Sequence, residues 1–416
     1  MKKVIRYLQD QALEASQQKY SGAAYLSPKT REPQQRAKQH SPSYYKEQHT
    51  SHHQSRSAHP SSAAHSFPSH TAAGTTPPRS SGQDERAPPH LSEKIQRDMK
   101  RHQYALDNIL QSYELYIPEL DQSHLAGASG KKFWVVFVHG GYFRDPTVTS
   151  SSFYPALDYL VSGKGNGHRH LHNPLKHDEH VPAVAPYIAG YASLNYRLSP
   201  HQDKAPQDPN KTPAYELRNA KWPDHIHDVL TAIAHLQNKY GFGERYLLVG
   251  HSVGATMAML STIAAHRSFS KGDSSELPKI EPPMAVLGVS GIYDYPLIHE
   301  SFSDYIGLTR NAIPNEADDV LASPARYNAK DYVDGWAAAG TKKRVLVIAH
   351  SKDDGWVDWK QVEAMQKVFA GSESAINCTV IELKGQHNDI WEKGTELARA
   401  IAQTVDIMRG LEGDGQ

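Results

Sequence analysis

The pattern of apolar and polar positions divides the chain into a tail with little to bury and a body of alternating strand and helix signals. From about residue 20 to 95, Ser, His, Gln, Pro and Ala follow one another in changing order, as in Ser51-His52-His53-Gln54-Ser55-Arg56-Ser57. Ordering such a segment loses backbone entropy that no apolar contact offsets, so residues 1–95 are expected to form a disordered tail. Within it, Val4, Leu8 and Ala12 at a spacing of four suggest a short leading helix.

Order is expected from near Leu91, with Ser92 capping a helix through Ile95, Met99 and Tyr104 and the apolar pattern continuing to Ile109-Leu110. Strands follow at Tyr113–Ile117 and at 132–138, where Phe133-Trp134-Val135-Val136-Phe137-Val138 is apolar throughout and reads as an inner strand. Further strands are expected at Ala192–Leu198, at 246–249, at Ala285–Val289, at 344–350 and at 379–383. Helical patterns lie between them: 153–161, a helix opened by Asp224, the small-residue run after 252, the segment with Val362 and Met365, and a last helix from about Trp391 to Met408. The stretch 296–340 reads as irregular and helix-rich, interrupted by Pro314 and Pro324. A His-, Pro- and Gly-rich insertion at about 162–186 reads as a solvated excursion. Strands alternating with helices predict a mostly parallel sheet covered on both faces, in one domain over 96–412.

Composition narrows the classes. Lys+Arg and Asp+Glu balance at 45 each, so no overall field calls for nucleic acid or an anionic membrane. The single cysteine, Cys378, excludes an intrachain disulfide or a Cys-based zinc site, and its β-like surroundings point to a packing role. Apolar runs fall short of a membrane span, and the first residues lack a secretory signal or transit pattern. A cytoplasmic protein acting on a small molecule is the expectation, without cofactor or metal, and with a homodimer left open.

The candidate chemistry begins at Gly250-His251-Ser252-Val253-Gly254, a Gly-x-Ser-x-Gly pentapeptide between a β-prone run and a helical one. In that context the serine is lifted onto a tight turn as a nucleophile. Its hydroxyl needs a base, and the base needs a carboxylate, supplied on such sheets by loops after later strands in the order Ser…Asp/Glu…His. The strand at 379–383 delivers His387; the strand at 344–350 delivers Asp353 and Asp354, which compete for the acid. Val357, three residues beyond Asp354, favours Asp354, because an apolar residue there packs the acid's loop. After the first inner strand, His139-Gly140-Gly141 can turn backbone N–H groups toward an oxyanion, so Gly140, Gly141, Tyr142 and Val253 are the candidate donors. Tyr142, Phe143, Tyr293, Trp356 and Trp391 are aromatics that could meet an aryl group, and Arg144 could meet a carboxylate or form a surface ion pair.

His139-Gly140-Gly141, Asn195-Tyr196-Arg197-Leu198-Ser199-Pro200 and Gly250-His251-Ser252-Val253-Gly254 resemble the hormone-sensitive-lipase-like branch of the α/β hydrolases. With Tyr142-Phe143-Arg144-Asp145-Pro146, Ser290-Gly291-Ile292-Tyr293-Asp294 and Gly385-Gln386-His387-Asn388-Asp389, the set resembles fungal-type kynurenine formamidases over roughly residues 100–410. The resemblance implies an α/β-hydrolase fold and hydrolysis of N-formyl-L-kynurenine to kynurenine and formate. Phe143 departs from the family's His-Gly-Gly-x-Trp motif. A carboxylesterase or lipase of the same branch is the alternative, and a non-catalytic binding protein on this fold a more distant one.

Overall fold

The run Phe133–Val138 offers water no polar side chain, so it can sit only between two covered faces. The computed structural model, which describes residues 91–118, 132–162, 181, 184–265, 267–271, 276–337, 343–370 and 375–413, places it there. The strands among these residues are β1 (Lys100–Gln103), β2 (Ser112–Tyr116), β3 (Phe133–Val138), β4 (Ile188–Leu194), β5 (Tyr246–His251), β6 (Ala285–Val289), β7 (Arg344–Ser351) and β8 (Ile376–Leu383). They form one sheet in the order β1-β2-β4-β3-β5-β6-β7-β8. β2 runs antiparallel to both neighbours, and every pairing from β4 to β8 is parallel. This is the α/β-hydrolase arrangement.

Alternation along the strands feeds two cores. Trp134, Val136 and Val138 of β3 join Leu248 of β5 and Ile348 of β7 on one face; Phe133, Val135 and Phe137 join Val249 and Val347 on the other. The helices are α1 (Glu93–Asp98), α2 (Tyr154–Ser162), α3 (Asp224–Tyr240), α4 (Val253–Ser261), α5 (Tyr295–Ser301), α6 (Tyr305–Ala312), α7 (Asp318–Leu321), α8 (Ala329–Trp336), α9 (Lys360–Phe369), α10 (Asp389–Glu392) and α11 (Thr395–Gly413). Ile226 and Ile233 of α3 cover the first face together with α4; Leu157 of α2 and Leu397, Ile401 and Val405 of α11 cover the second. Every residue of α4 is buried, as expected of a helix without a polar face. Among the described residues no helix is long and apolar enough to cross a membrane.

Several elements differ from expectation. The first helix stops at Asp98, because Lys100–Gln103 turns extended and pairs with β2 instead. β4 lies earlier than Ala192–Leu198: its pairing with β3 ends at Leu194, and Asn195 onward turns its polar groups to other partners. Asp224 opens α3 as expected, and its carboxylate accepts from Lys221 N at 3.0 Å. The last helix is two, α10 and α11, broken at Gly394, where φ is +74° and a Cβ would stand 2.4 Å from the carbonyl carbon of Pro155. Cys378 is partly buried and packs against the first core; burial raises its thiol to about 11. The tail through residue 90, its leading helix and most of the 162–186 insertion lie outside the described residues.

The order of connection sets the site. After β3 the chain moves to β4 on one side, then returns to β5 on the other side of β3. Segments leaving the carboxyl ends of β3 and β5 therefore start side by side and head in opposite directions, the position at which open α/β sheets place their sites. Residues 139–143 and the Gly-x-Ser-x-Gly turn both leave at that point.

Candidate active site

The turn at Ser252 is built by exclusion. A Cβ on Gly250 would lie 2.2 Å from Gly254 O, and one on Gly254 would lie 2.2 Å from Val138 O. Only glycine lets β5, α4 and the end of β3 approach so closely. Ser252 itself takes φ 56° and ψ −124°, a region unfavourable to any L side chain. Its N–H donates to Val289 O at 2.9 Å, which ties the turn to β6. Val253 opens α4, and N–H groups in a helix's first turn have no intrahelical acceptor.

Beyond β3, Gly140 lies against the serine: a Cβ there would stand 2.9 Å from Ser252 Cβ. Gly141, Tyr142 and Phe143 follow with φ of 87°, 48° and 65°, so the chain coils back, and Arg144 N and Asp145 N both donate to Gly141 O. The hydroxyl of Tyr196 donates to Gly140 O at 2.8 Å and to His139 O at 3.2 Å. In a planar trans peptide the N–H points opposite the carbonyl, so fixing Gly140 O aims the Gly141 N–H away from Tyr196. The His139 ring stacks on Tyr196 at 4.3 Å, and burial lowers it to about 4, leaving it neutral near pH 7. Its Nδ1 donates to Gly140 O at 2.9 Å. Tyr196 drew attention only as part of a motif; its hydroxyl is what holds the Gly-Gly turn.

On the far side, β7 and β8 deliver Asp354 and His387. His387 Nδ1 donates to Asp354 Oδ2 at 2.8 Å, while Asp354 Oδ1 accepts from Trp356 N at 2.9 Å and Val357 N at 3.0 Å. Burial alone would raise the Asp354 carboxyl; the hydrogen bond and charge of His387, the charge of His350 and the Trp356 N–H outweigh it and hold it at about 2. Val357 is buried beneath this turn, whereas Asp353 is exposed. The His251 ring, beside Ser252, lies 4.7 Å from the His387 ring, tilted by 50°, and its Nε2 donates to His387 O at 3.2 Å. Burial, then the charge of His387, pushes His251 well below the usual histidine range. The Ser252 turn, His251, His387 and Asp354 thus lie within one contiguous set of contacts at the carboxyl edge of the sheet.

Other sequence candidates go elsewhere. Phe143 and Tyr293 are fully buried in the core, and Trp391 packs beside the second core with its indole N–H donating to Asn388 Oδ1. Arg144 donates to Gln202 Oε1 at 3.1 Å and meets His201 Nε2 at 3.4 Å. A hydrogen-bonded chain absent from the sequence reading runs from Tyr142 OH to Thr309 Oγ1 (2.9 Å), which also meets His299 Nε2 (2.8 Å). Nothing in the spacing of residues 142, 299 and 309 signals it.

No family model matches the chain. Among curated proteins, the kynurenine formamidase AvaC of Aspergillus versicolor is 31% identical over 285 residues, covering 63% of this chain and 84% of that protein. The chain belongs to the kynurenine formamidase family. A second member-like relative, the kynurenine formamidase-like hydrolase FscH of Fusarium equiseti, is 28% identical over 318 residues, covering 72% of this chain and 91% of that one. Among solved structures, esterase B from Lactobacillus rhamnosis aligns at a TM-score of 0.48 and 14% identity, covering 78% of this chain and 91% of that one. Membership in the kynurenine formamidase family makes the protein a hydrolase.

Proposed function

We propose that this protein hydrolyses N-formyl-L-kynurenine to L-kynurenine and formate through Ser252, His387 and Asp354, a step of tryptophan catabolism leading toward NAD. The observation that carries the reading is the 2.8 Å bond from His387 Nδ1 to the buried Asp354 carboxylate, beside a serine on a strained elbow. With its Nδ1–H engaged, His387 would present Nε2 as the base. Ser252 Oγ would attack the formyl carbon as its proton passes to His387 Nε2. The oxyanion would be met by backbone N–H groups from Gly140, Gly141, Tyr142 and Val253. His387 would return the proton to the aryl amine as the C–N bond breaks, releasing kynurenine and leaving a formyl ester on Ser252. Water, deprotonated by His387, would attack that ester; formate leaves and the serine regains its proton. An aryl amine is a better leaving group than an alkyl one, so an esterase-like site suffices.

The test is formate release from N-formylkynurenine beside a series of nitrophenyl esters. Ser252→Ala and His387→Ala are expected to lose more than about 1,000-fold in kcat, Asp354→Asn nearly as much, and Asp353→Asn little. A mild Asp354→Asn and a severe Asp353→Asn would move the acid to Asp353. Turnover rising from acetyl to octanoyl esters, with no formate released, would overturn the formamide substrate in favour of an esterase.

A further inference from the structure

We propose that Trp356 is the platform on which the substrate's aryl leaving group rests, and so sets a preference for aromatic over aliphatic leaving groups. The proposal rests on the hydrolytic reading of Ser252 and His387 above. Trp356 is 54% exposed, while the other tryptophans of the described residues are buried or partly buried. An indole left facing water forgoes one of the largest apolar burials a side chain can make.

Its backbone is anchored. The Trp356 backbone N–H donates to Asp354 Oδ1 at 2.9 Å, and that of the next residue, Val357, donates to the same oxygen, with Val357 buried. The carboxylate that holds His387 therefore also fixes the stretch of main chain from which the indole projects. The ring lies 5.5 Å from the His387 ring with 28° between their planes.

That location matters because of where the leaving group must be. His387 can protonate the departing nitrogen only from hydrogen-bond distance. In an arylformamide the ring is bonded directly to that nitrogen, so it must lie beside His387, within reach of the exposed indole. An offset stack between the two rings is the arrangement aromatic pairs favour. The half-buried Tyr305 packs edge-on to Tyr142, the residue after the Gly-Gly turn, at 5.5 Å. An alkyl leaving group gains little from stacking on an indole.

The competing account is that Trp356 merely shields or positions His387. Steady-state kinetics on Trp356→Ala and Trp356→Phe separate the two, using N-formylkynurenine, formanilide (an aryl formamide without the amino-acid head) and ethyl formate. Trp356→Ala is expected to lose about tenfold in kcat/KM on both aryl substrates, a stack of this kind being of that order. Ethyl formate should change less than about twofold, the apparent pKa of the kcat/KM profile should stay put, and Trp356→Phe should recover most of the aryl activity. Equal losses on ethyl formate, a displaced pH profile, or unchanged aryl kinetics would each overturn the proposal. If wild-type protein releases no formate from N-formylkynurenine, the substrate reading fails separately, and formanilide against ethyl formate still decides the role of Trp356.

Discussion

Phe143 stands where the family motif has tryptophan, and its surroundings explain how the substitution is accommodated. The ring is fully buried, edge-on to Trp222 at 5.7 Å, against His225 at 4.7 Å and facing Tyr295 at 6.5 Å. Trp222 already places an indole there, with its N–H donating to Phe269 O at 2.6 Å. A second indole would overpack this pocket. Phe143→Trp is expected to lose about 1–3 kcal/mol in urea unfolding without gaining activity; a gain in either would show spare room. Asp353 and Asp354 likewise differ in packing. Val357 is buried under their turn, Asp354 is buried and bonded to His387, and Asp353 is exposed, so the spacing to Val357 is a cue that burial follows. Tyr196 was not legible as a residue, because nothing in Asn195-Tyr196-Arg197 says which carbonyls its hydroxyl will reach.

At the scale of elements, runs that are apolar on both faces were read nearly to the residue: β3, β6 and β7 have no alternative to the middle of the sheet. Misreadings occur where a local pattern outlasts its partner. Ala192–Leu198 alternates like a strand, yet after Leu194 the Asn195 amide accepts from Ser150 N at 2.8 Å and Arg197 forks onto the buried Asp228. The α10–α11 break is likewise tertiary, since Gly394 is required by the close passage of Pro155. Gly394→Ala combines a positive φ with that clash and should lower the melting temperature by several degrees, read by calorimetry; an unchanged melt would mean that α2 yields. The helices at 295–321 have their own hold on the site. Tyr142 follows the Gly-Gly turn at positive φ, and its hydroxyl is received by Thr309 of α6. Thr309→Val is expected to reduce kcat several-fold with KM little changed, and Thr309→Ser to restore it; equal behaviour of the two variants would deny the hydroxyl any part.

For the whole molecule, acid should be the weak direction. Burial lowers His139 to about 4 and, with help from the Arg197 charge, His225 to about 3, while His251 lies well below its ordinary value. In the unfolded chain each takes a proton near 6.5, so the unfolded state binds more protons as pH falls. Stability should be complete above about pH 6.5 and erode below it by about 1.4 kcal/mol per group per pH unit, the His139 share being spent by its folded value of about 4. Asp354, held at about 2, adds a loss as pH falls below the ordinary carboxylate range toward that value. Urea midpoints measured from pH 7.5 to 5 should fall steeply in the lower half of that range; a flat profile would mean that these rings reach water. Removing residues 1–90, whose composition supplies little to dock, should leave kcat/KM and Tm nearly unchanged.

The backbone at Ser252, φ 56° and ψ −124°, has a consequence for how such a protein persists. An L residue held there stores about 1–3 kcal/mol of strain that glycine does not feel. Even after the roughly 0.4–1 kcal/mol that glycine's looser unfolded chain subtracts, Ser252→Gly should melt higher than the enzyme it disables. Since a kilocalorie or two alters abundance several-fold in a cell, dead copies would outnumber working ones made at the same rate. Selection for quantity and selection for turnover therefore pull this one position in opposite directions.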